Sequence, residues 1–406
     1  MMWFVGIDWA DDHHDAVVID DAGMRVAAMR VPHSSNGITA LIAFLRGIGD
    51  VDTHPEHLAC VVETNRGLLI AALLDAGVPV YPVNPTTVDR QRKPSGAKTD
   101  AIDAYLLART GRSDLADLRR LTPDSPLVAE LKLLTRDQDS LIQGQTRLVN
   151  QLTACLKAYY PVALELFGKL HQGATLAFLR TFPTPDEARA ATVERIAAIL
   201  TTVRYATAEA KAHEIWQRVQ QPQLTADPIV TRAKARLVLT LTAQLQVLVT
   251  DIAAYDREIS RVFAQHADSA AFASLPRAGK RLAPRLLAEW GDDRGRYADA
   301  ASVQALAGTS PVVVQSGNYA SVHKRYACSK PLRNALHQFA WQSTLQEGWA
   351  NAYYRRKRRE GKSHTKAVRA LANQWVRIIH ALWCKREIYD SAVFVAAQQA
   401  HARRAA

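Results

Sequence analysis

Four carboxylates carry the chemistry that this sequence offers. Asp8 closes the apolar run MWFVGI and Glu63 closes LACVV. Asp100 and Asp103 stand in GAKTDAIDAYLLA, the start of a helical pattern. Three residues apart, the last two face one side of a first helical turn. Each acid has a plain structural reading: Asp8 as a turn residue, Glu63 as a surface charge, Asp100 as a helix N-cap with Asp103 following in capping-box fashion. Brought together, the four repel, and divalent cations neutralise them. Magnesium takes hard oxygen ligands and keeps several waters. Two such ions about 3.5–4 Å apart clamp both sides of a phosphodiester undergoing displacement. Two strand ends and one helix start favour the metal site, with Mg2+ as the expected ion and Mn2+ as the alternative.

Actin-like ATPases and sugar kinases also end a first strand on Gly-Ile-Asp, then use a Gly/Thr-rich phosphate turn. Here the turn reads WADDHHD, without glycine and with three further acids that would repel a nucleotide. A second reactive candidate is Ser316, beside Gly317 in SPVVVQSGNYASVHKR and ahead of His323, Lys324, Arg325 and Arg333. Taken alone, a Ser-Gly pair is a commonplace turn. A serine that attacks phosphorus needs its hydroxyl deprotonated and the developing charge stabilised, which basic neighbours or a metal can supply. Ser310 and Ser321 remain alternatives.

The elements that must position these groups follow from patterning. Residues 1–122 read as β-β-β-α-β-α-β-α, a hairpin meander feeding βαβ units, the order of ribonuclease H-like folds. In that fold the first and fourth strands are neighbours. From residue 123 to 270 the pattern is helical. Leu127, Leu131, Leu134, Gln138, Leu141, Gln145, Leu148, Leu152, Cys155 and Tyr159 form one heptad seam; Val238 to Val262 form another. Both predict long coiled-coil helices, packed on each other as a hairpin or joining two chains. Residues 271–390 form a third, mainly helical region, and 391–406 a tail.

The chain carries 51 Lys+Arg against 39 Asp+Glu, a net charge of +12. That balance suggests a polyanionic partner. Arg90, Arg92, Lys93 and Lys98 flank the Asp100 helix. Lys280 and Arg281 lie in LPRAGKRLAPRLLAEWGD, which resembles a helix-hairpin-helix element. Arg355 and Arg356 lie in YYRRKRREGKSHTKAVR, where eight of seventeen residues are basic. With Lys324, Arg325 and Arg333 these are the expected nucleic-acid contacts. Cys60, Cys155, Cys328 and Cys384 are scattered, which fits a reduced cytoplasm and no zinc site. No uninterrupted apolar run reaches membrane-span length, so no membrane is expected. No zinc-finger or RRM signature is visible.

In VGIDWADDHHDAVVID, VVETNRG, NPTTVDRQRKPSGAKTDAIDAYLLAR, LPRAGKRLAPRLLAEWGD, LAGTSPVVVQSG and KRYACSKPLRNALHQFAW, the chain resembles the insertion-sequence 110 family of transposases. These are DEDD recombinases guided by a non-coding bridge RNA. The resemblance runs from residue 3 to about 345. It implies a RuvC-like domain over 1–122 whose metal ligands are Asp8, Glu63, Asp100 and Asp103, a central coiled coil, and a C-terminal transposase domain with Ser316 as nucleophile. It further implies a composite site, double-stranded donor and target DNA, a dimer that becomes a tetramer in the synaptic complex, and action on the bacterial nucleoid. Two departures stand out: QSGNYASVHKR replaces a more glycine-rich SSG segment, and Pro276-Arg277-Ala278-Gly279 replaces PGIG. The alternatives are a RuvC-like nuclease or junction resolvase that forms no covalent intermediate, and a non-catalytic RNA-binding scaffold.

Overall fold

The computed structural model describes residues 1–84, 99–317, 319–393 and 395–396. Two compact units divide it, Met1–Pro123 and Asp124–Ala406. The basic residues expected at Arg90, Arg92, Lys93 and Lys98 lie outside the described residues.

The first unit is built on strands β1 (Trp3–Trp9), β2 (His13–Ile19) and β3 (Arg25–Pro32), helix α1 (Ser35–Arg46), strand β4 (Leu58–Val62), helix α2 (Leu68–Asp75), strand β5 (Val80–Pro82) and helix α3 (Asp100–Asp114). The sheet order is β3-β2-β1-β4-β5. The first three strands are antiparallel, and β1, β4 and β5 run parallel. The first and fourth strands are therefore neighbours, as the sequence pattern predicts.

Side chains alternate across a pleated strand, and the alternation sorts this sheet cleanly. Val5, Ile7, Val18, Cys60 and Val62 pack with Leu41, Leu45 and Leu73 on the face of α1 and α2. Phe4, Val17, Ile19 and Ala59 pack with Ala104 and Ala108 of α3 on the other. Gly6 belongs to that second face. A Cβ built on it would lie 1.9 Å from the Ala104 carbonyl oxygen and 2.4 Å from the Ala108 nitrogen. The α3 backbone thus rests directly on β1, and only glycine leaves room for it.

The second unit begins with α4 (Pro126–Tyr159). Then come α5 (Gly173–Thr181), α6 (Pro185–Arg189), α7 (Val193–Thr202), α8 (Ala208–Gln220) and α9 (Pro228–Gln265). Helices α4 and α9 pack antiparallel, since Cys155 Sγ meets the Lys234 carbonyl at one end and Arg261 meets Glu130 at the other. This is the hairpin alternative of the two that the heptad seams allow. Gln138, an uncomfortable seam residue, is buried and donates to Asp256 at 2.8 Å, which pins the register. Helices α5 to α8 close a separate aromatic-rich core over one end of the pair. Among the described residues α9 alone is long and apolar enough to cross a membrane. Its apolar stripe is buried: Val238, Leu241 and Leu245 join the aromatic-rich core, and Ile259 and Val262 join the core of the C-terminal helices.

The chain continues through α10 (Ser269–Ala273), α11 (Gly279–Trp290), α12 (Ala300–Leu306), a two-stranded hairpin β6 (Val312–Ser316) and β7 (Tyr319–His323), and helices α13 (Lys330–Ser343), α14 (Gly348–Arg359) and α15 (His364–Lys385). Trp290, Phe339, Trp375 and Trp383 centre their common core. Three two-pronged ion pairs bind α11 to the long helices. Arg136 donates to Glu289 at 2.7 and 2.8 Å, Arg285 to Asp139 at 2.9 and 3.1 Å, and Arg281 to Asp256 at 2.9 and 2.8 Å.

The Gly6 contact makes a direct prediction. Gly6→Ala forces α3 off the sheet and should cost about 1–3 kcal/mol, the usual range for overpacking. Thermal unfolding followed by circular dichroism would then shift down by several degrees. A variant melting with the parent would show that α3 does not rest on β1.

Candidate active site

The same alternation that places Gly6 against α3 places Asp8 there, two residues on. Ile7 pairs with Val62 in the parallel ladder, so Asp8 and Glu63 are the next residues on adjacent strands, leaving the sheet side by side. Helix α3 brings the other two acids. Its N-cap is Thr99, whose hydroxyl accepts from the Ile102 N–H at 3.3 Å. Asp100 is therefore the first helical residue rather than the cap, and the capping-box explanation of Asp100 and Asp103 fails. Asp103 is buried, at 5% exposure.

The four carboxylates feel one another. Burial first, then the charges of Asp103, Glu63 and Asp100, raise the Asp8 carboxyl from its ordinary 3.8 to about 6; one backbone hydrogen bond opposes them. No cation figures among the causes. An all-oxygen set of mutually repelling carboxylates fits a hard divalent cation. Bound there, it would supply the positive charge that Asp8 lacks.

Three residues that sequence reasoning passed over border this cluster. Asp15 pairs with Asp8 across the antiparallel ladder, and the two share the α3 face. Arg30, opposite Asp15 on β3, grips it with two hydrogen bonds of 3.0 and 2.7 Å and lies 3.5 Å from Asp100. The His13 ring spans Asp12, at 2.6 Å from Nδ1, and Asp100, at 3.1 Å from Nε2. Those two carboxylates raise the His13 pKa, Asp100 contributing first. Ligand atoms of His13, Asp15 and Asp100 all lie within 4.8 Å of one another. In the sequence WADDHHD reads as an acidic turn; only the strand register reveals that its alternate residues point into the cluster.

Ser316 stands in the second unit, the last residue of β6, exposed beside Gly317 at φ +54°. It pairs with Tyr319, while Val314 pairs with Ser321 and Val312 with His323. Directly paired residues share a face, so Ser316, Ser321 and His323 are on one side of the hairpin. The Ser321 hydroxyl lies 2.6 Å from His323 Nε2. Ser310 is half-buried just before the hairpin. Among the expected nucleic-acid contacts, Lys280, Arg355 and Arg356 are exposed, and Lys324, Arg325 and Arg333 half-buried. Arg281 is exposed but engaged by Asp256, so any phosphate contact would compete with that pair. The four cysteines are free.

A mixed sheet bearing a carboxylate cluster, with a long helical region behind it in sequence, defines a metal-using enzyme class, and comparison with known proteins gives the family. A DEDD transposase model matches residues 5–161, and the model described as "Transposase IS116/IS110/IS902 family" matches residues 269–355. The "Mini-circle putative transposase for IS117" of Streptomyces coelicolor is 33% identical over 95% of both chains. The "Insertion element IS116 uncharacterized 44.8 kDa protein" of Streptomyces clavuligerus is 31% identical over 96% of both. A 42 kDa IS900 protein of Mycobacterium paratuberculosis is 28% identical over 97% of this chain and 98% of its own. The chain belongs to the IS110 family of insertion-sequence transposases. It is thus a DNA-cutting and rejoining enzyme, of a family whose DEDD site implies use of a divalent metal.

The electrostatics predict how this unit responds to pH and metal. A carboxyl raised from 3.8 to about 6 on folding destabilises the metal-free fold as pH rises through that window. Below it the group is protonated in both states; above it the folded chain carries a charge that the unfolded chain carries more easily. Asp8→Asn should therefore raise the melting temperature of metal-free protein at pH 7.5, with the gain fading as pH falls toward 4. Adding Mg2+ or Mn2+ should stabilise the wild type by mass action and the variant less. Equal metal responses in both would remove Asp8 from the site.

Proposed function

We propose that this transposase is a bridge-RNA-guided recombinase that cuts and rejoins DNA through a phosphoserine at Ser316, assisted by Mg2+ at Asp8, Glu63, Asp100 and Asp103. The observation that carries the reading is the influence of Asp103, Glu63 and Asp100 on Asp8, acids brought together by β1, the end of β4 and α3. The strand order β3-β2-β1-β4-β5 supports a RuvC-like domain over residues 1–122. Residues 123–270 then form the helical spacer, 271–390 the transposase domain and 391–406 a tail.

Rejoining explains why such an enzyme would need a serine as well as a carboxylate site. A metal-dependent nuclease activates water, and the cut is final. In the proposed reaction Ser316 Oγ attacks the phosphorus and the 3′ oxygen leaves, taking up a proton. The new serine ester retains the phosphodiester's energy. A free 3′-hydroxyl then attacks the same phosphorus and Ser316 leaves with its proton restored, so resealing needs no ATP. A divalent cation supplies Lewis-acid polarisation of the phosphate and charge for the leaving 3′ oxygen. The exposed hydroxyl of Ser316, beside a positive-φ glycine and on one face with His323, suits the nucleophile's role; Ser321, held by His323, is the alternative.

Lys324, Arg325, Arg333, Lys280, Arg355 and Arg356 are assigned to nucleic-acid backbone, contacts that position without reading sequence. Reading falls to the guide RNA by base pairing, and the family resemblance supports that assignment. The working assembly is a dimer, and a tetramer at synapsis.

The test is strand transfer with the cognate RNA, both DNA substrates and Mg2+, run on denaturing gels before and after proteinase digestion. The wild type should give a protein–DNA adduct that digestion removes, and Ser316→Ala and Asp8→Ala should each abolish it. An adduct persisting in Ser316→Ala moves the nucleophile to Ser321 or Ser310. Cleavage without any adduct returns the site to a water-activating nuclease.

A further inference from the structure

Away from the carboxylate cluster, the second unit buries polar nitrogens left without a partner among the described residues. Among the described residues, Arg325 Nε, His337 Nε2 and Arg369 Nε are buried with no hydrogen-bond partner. Leaving a buried donor unmade costs about 1–3 kcal/mol, more when it is charged. Three in one region therefore call for an explanation.

They come from three separate segments that converge. The chain leaving β7 crosses the end of α12: a Cβ on Gly308 would meet Cys328 Sγ at 2.7 Å and the Arg325 carbonyl at 3.4 Å, and Ser329 N–H donates to the Leu306 carbonyl at 2.7 Å. Helix α15 reaches the same place, where Asn373 accepts from Gln304 Nε2 and Thr309 Oγ1, both at 2.9 Å. Arg369 lies one turn before Asn373, on the same helix face. Helix α13 packs between them and supplies Arg333, whose guanidinium donates to Cys328 Sγ at 3.5 Å, and, one turn on, His337. Burial and then the charges of Arg369, Arg333 and Lys324 hold the His337 imidazole down at about 4. Every charged group in that account is a cation.

We propose that Lys324, Arg333, His337 and Arg369 form a pocket for one backbone phosphodiester of the DNA. A phosphate oxygen accepts from guanidinium nitrogens in charge-assisted hydrogen bonds, and Arg suits it through its planar fork. The imidazole, neutral in the free protein, donates through Nε2 in one tautomer. The pocket takes up the charge of Lys324 and Arg333 and adds two residues 32 positions apart in sequence, His337 and Arg369. It lies at the foot of the hairpin whose tip carries Ser316. Four strand steps of about 3.4 Å separate foot from tip, roughly four nucleotides along one strand. Only that spacing rests on Ser316 being the nucleophile; the pocket itself does not.

The experiment measures binding of the full chain to a short fluorescein-labelled duplex of arbitrary sequence, by anisotropy over a range of NaCl concentrations with EDTA present. Without metal no strand is cut, so the result is independent of which residue attacks. Each phosphate contact contributes about 0.9 to the slope of log K against log salt. Arg369→Gln and His337→Phe should each weaken binding several-fold, Arg369→Gln should also lower the slope by about 1, and both should melt with the wild type. Arg261→Gln, the same charge change at a residue paired with Glu258, should leave the slope unchanged. Should Arg369→Gln unfold early, Arg369→Lys keeps the charge and removes the fork; it should keep the slope and still lose affinity. Folded variants with wild-type affinity and slope would overturn the pocket. So would a loss confined to an RNA of the same length.

Discussion

The backbone approach of α3 to β1 at Gly6 is the constraint on which the carboxylate site depends. Pleating fixes that Phe4, Gly6 and Asp8 share one face, and that Ala59, Val61 and Glu63 share it on the neighbouring strand. The helix lying on that face packs Ala104 and Ala108 against Phe4, Val17 and Ala59, so its height above the sheet is set by small residues. Its first turn is then held close to the strand ends, where Asp100 and Asp103 meet Asp8 and Glu63. A bulkier residue at position 6 would act on the chemistry through position alone, without touching a carboxylate.

That packing assembles charge against its own preference. Hydrophobic burial on both faces of the sheet holds together acids that repel, and burial first, then that repulsion, raises the Asp8 carboxyl. The fold relieves part of the repulsion locally. Arg30 neutralises Asp15, and His13 bridges Asp12 and Asp100. The relief is on the β2–β3 side of the cluster, and among the described residues no cation pairs with Asp8. A divalent ion bound at such a site would find the cost of bringing its ligands together already met by folding.

Much of this was legible in the sequence because it is carried by local patterns. Period-two runs ending on an acid gave the strands, their order and the positions of Asp8 and Glu63. The heptad spacing gave two long helices, though not whether they pair within a chain, and antiparallel packing follows from contacts such as Cys155 with Lys234 that no spacing encodes. What stayed hidden depends on register or on distant segments. His13, Asp15 and Arg30 reach the cluster only through cross-strand pairing. Thr99 takes the capping role that the plain structural reading of the sequence gives to Asp100. Arg281 reads as a free basic residue, yet Asp256, 25 residues earlier, holds it. Composition counts charges, but it does not say which of them are already neutralised.

The same distinction separates the two kinds of basic residue in the second unit. Arg136, Arg281 and Arg285 are bound in two-pronged pairs with Glu289, Asp256 and Asp139, and they hold α11 against the long helices. Breaking the Arg136–Glu289 or Arg285–Asp139 pair leaves a buried charge uncompensated, at a cost of about 3–5 kcal/mol, while the exposed Arg281 pair is worth less, so these arginines serve the fold. Arg325 and Arg369 are half-buried, but each keeps an unsatisfied nitrogen, and Arg369 stands with Arg333 and Lys324 around His337. A fold gains nothing from gathering like charges around a buried imidazole. The arrangement makes physical sense once the neutralising group comes from outside the chain, and for a DNA-rejoining enzyme the polymer that supplies anions at regular spacing is the substrate itself.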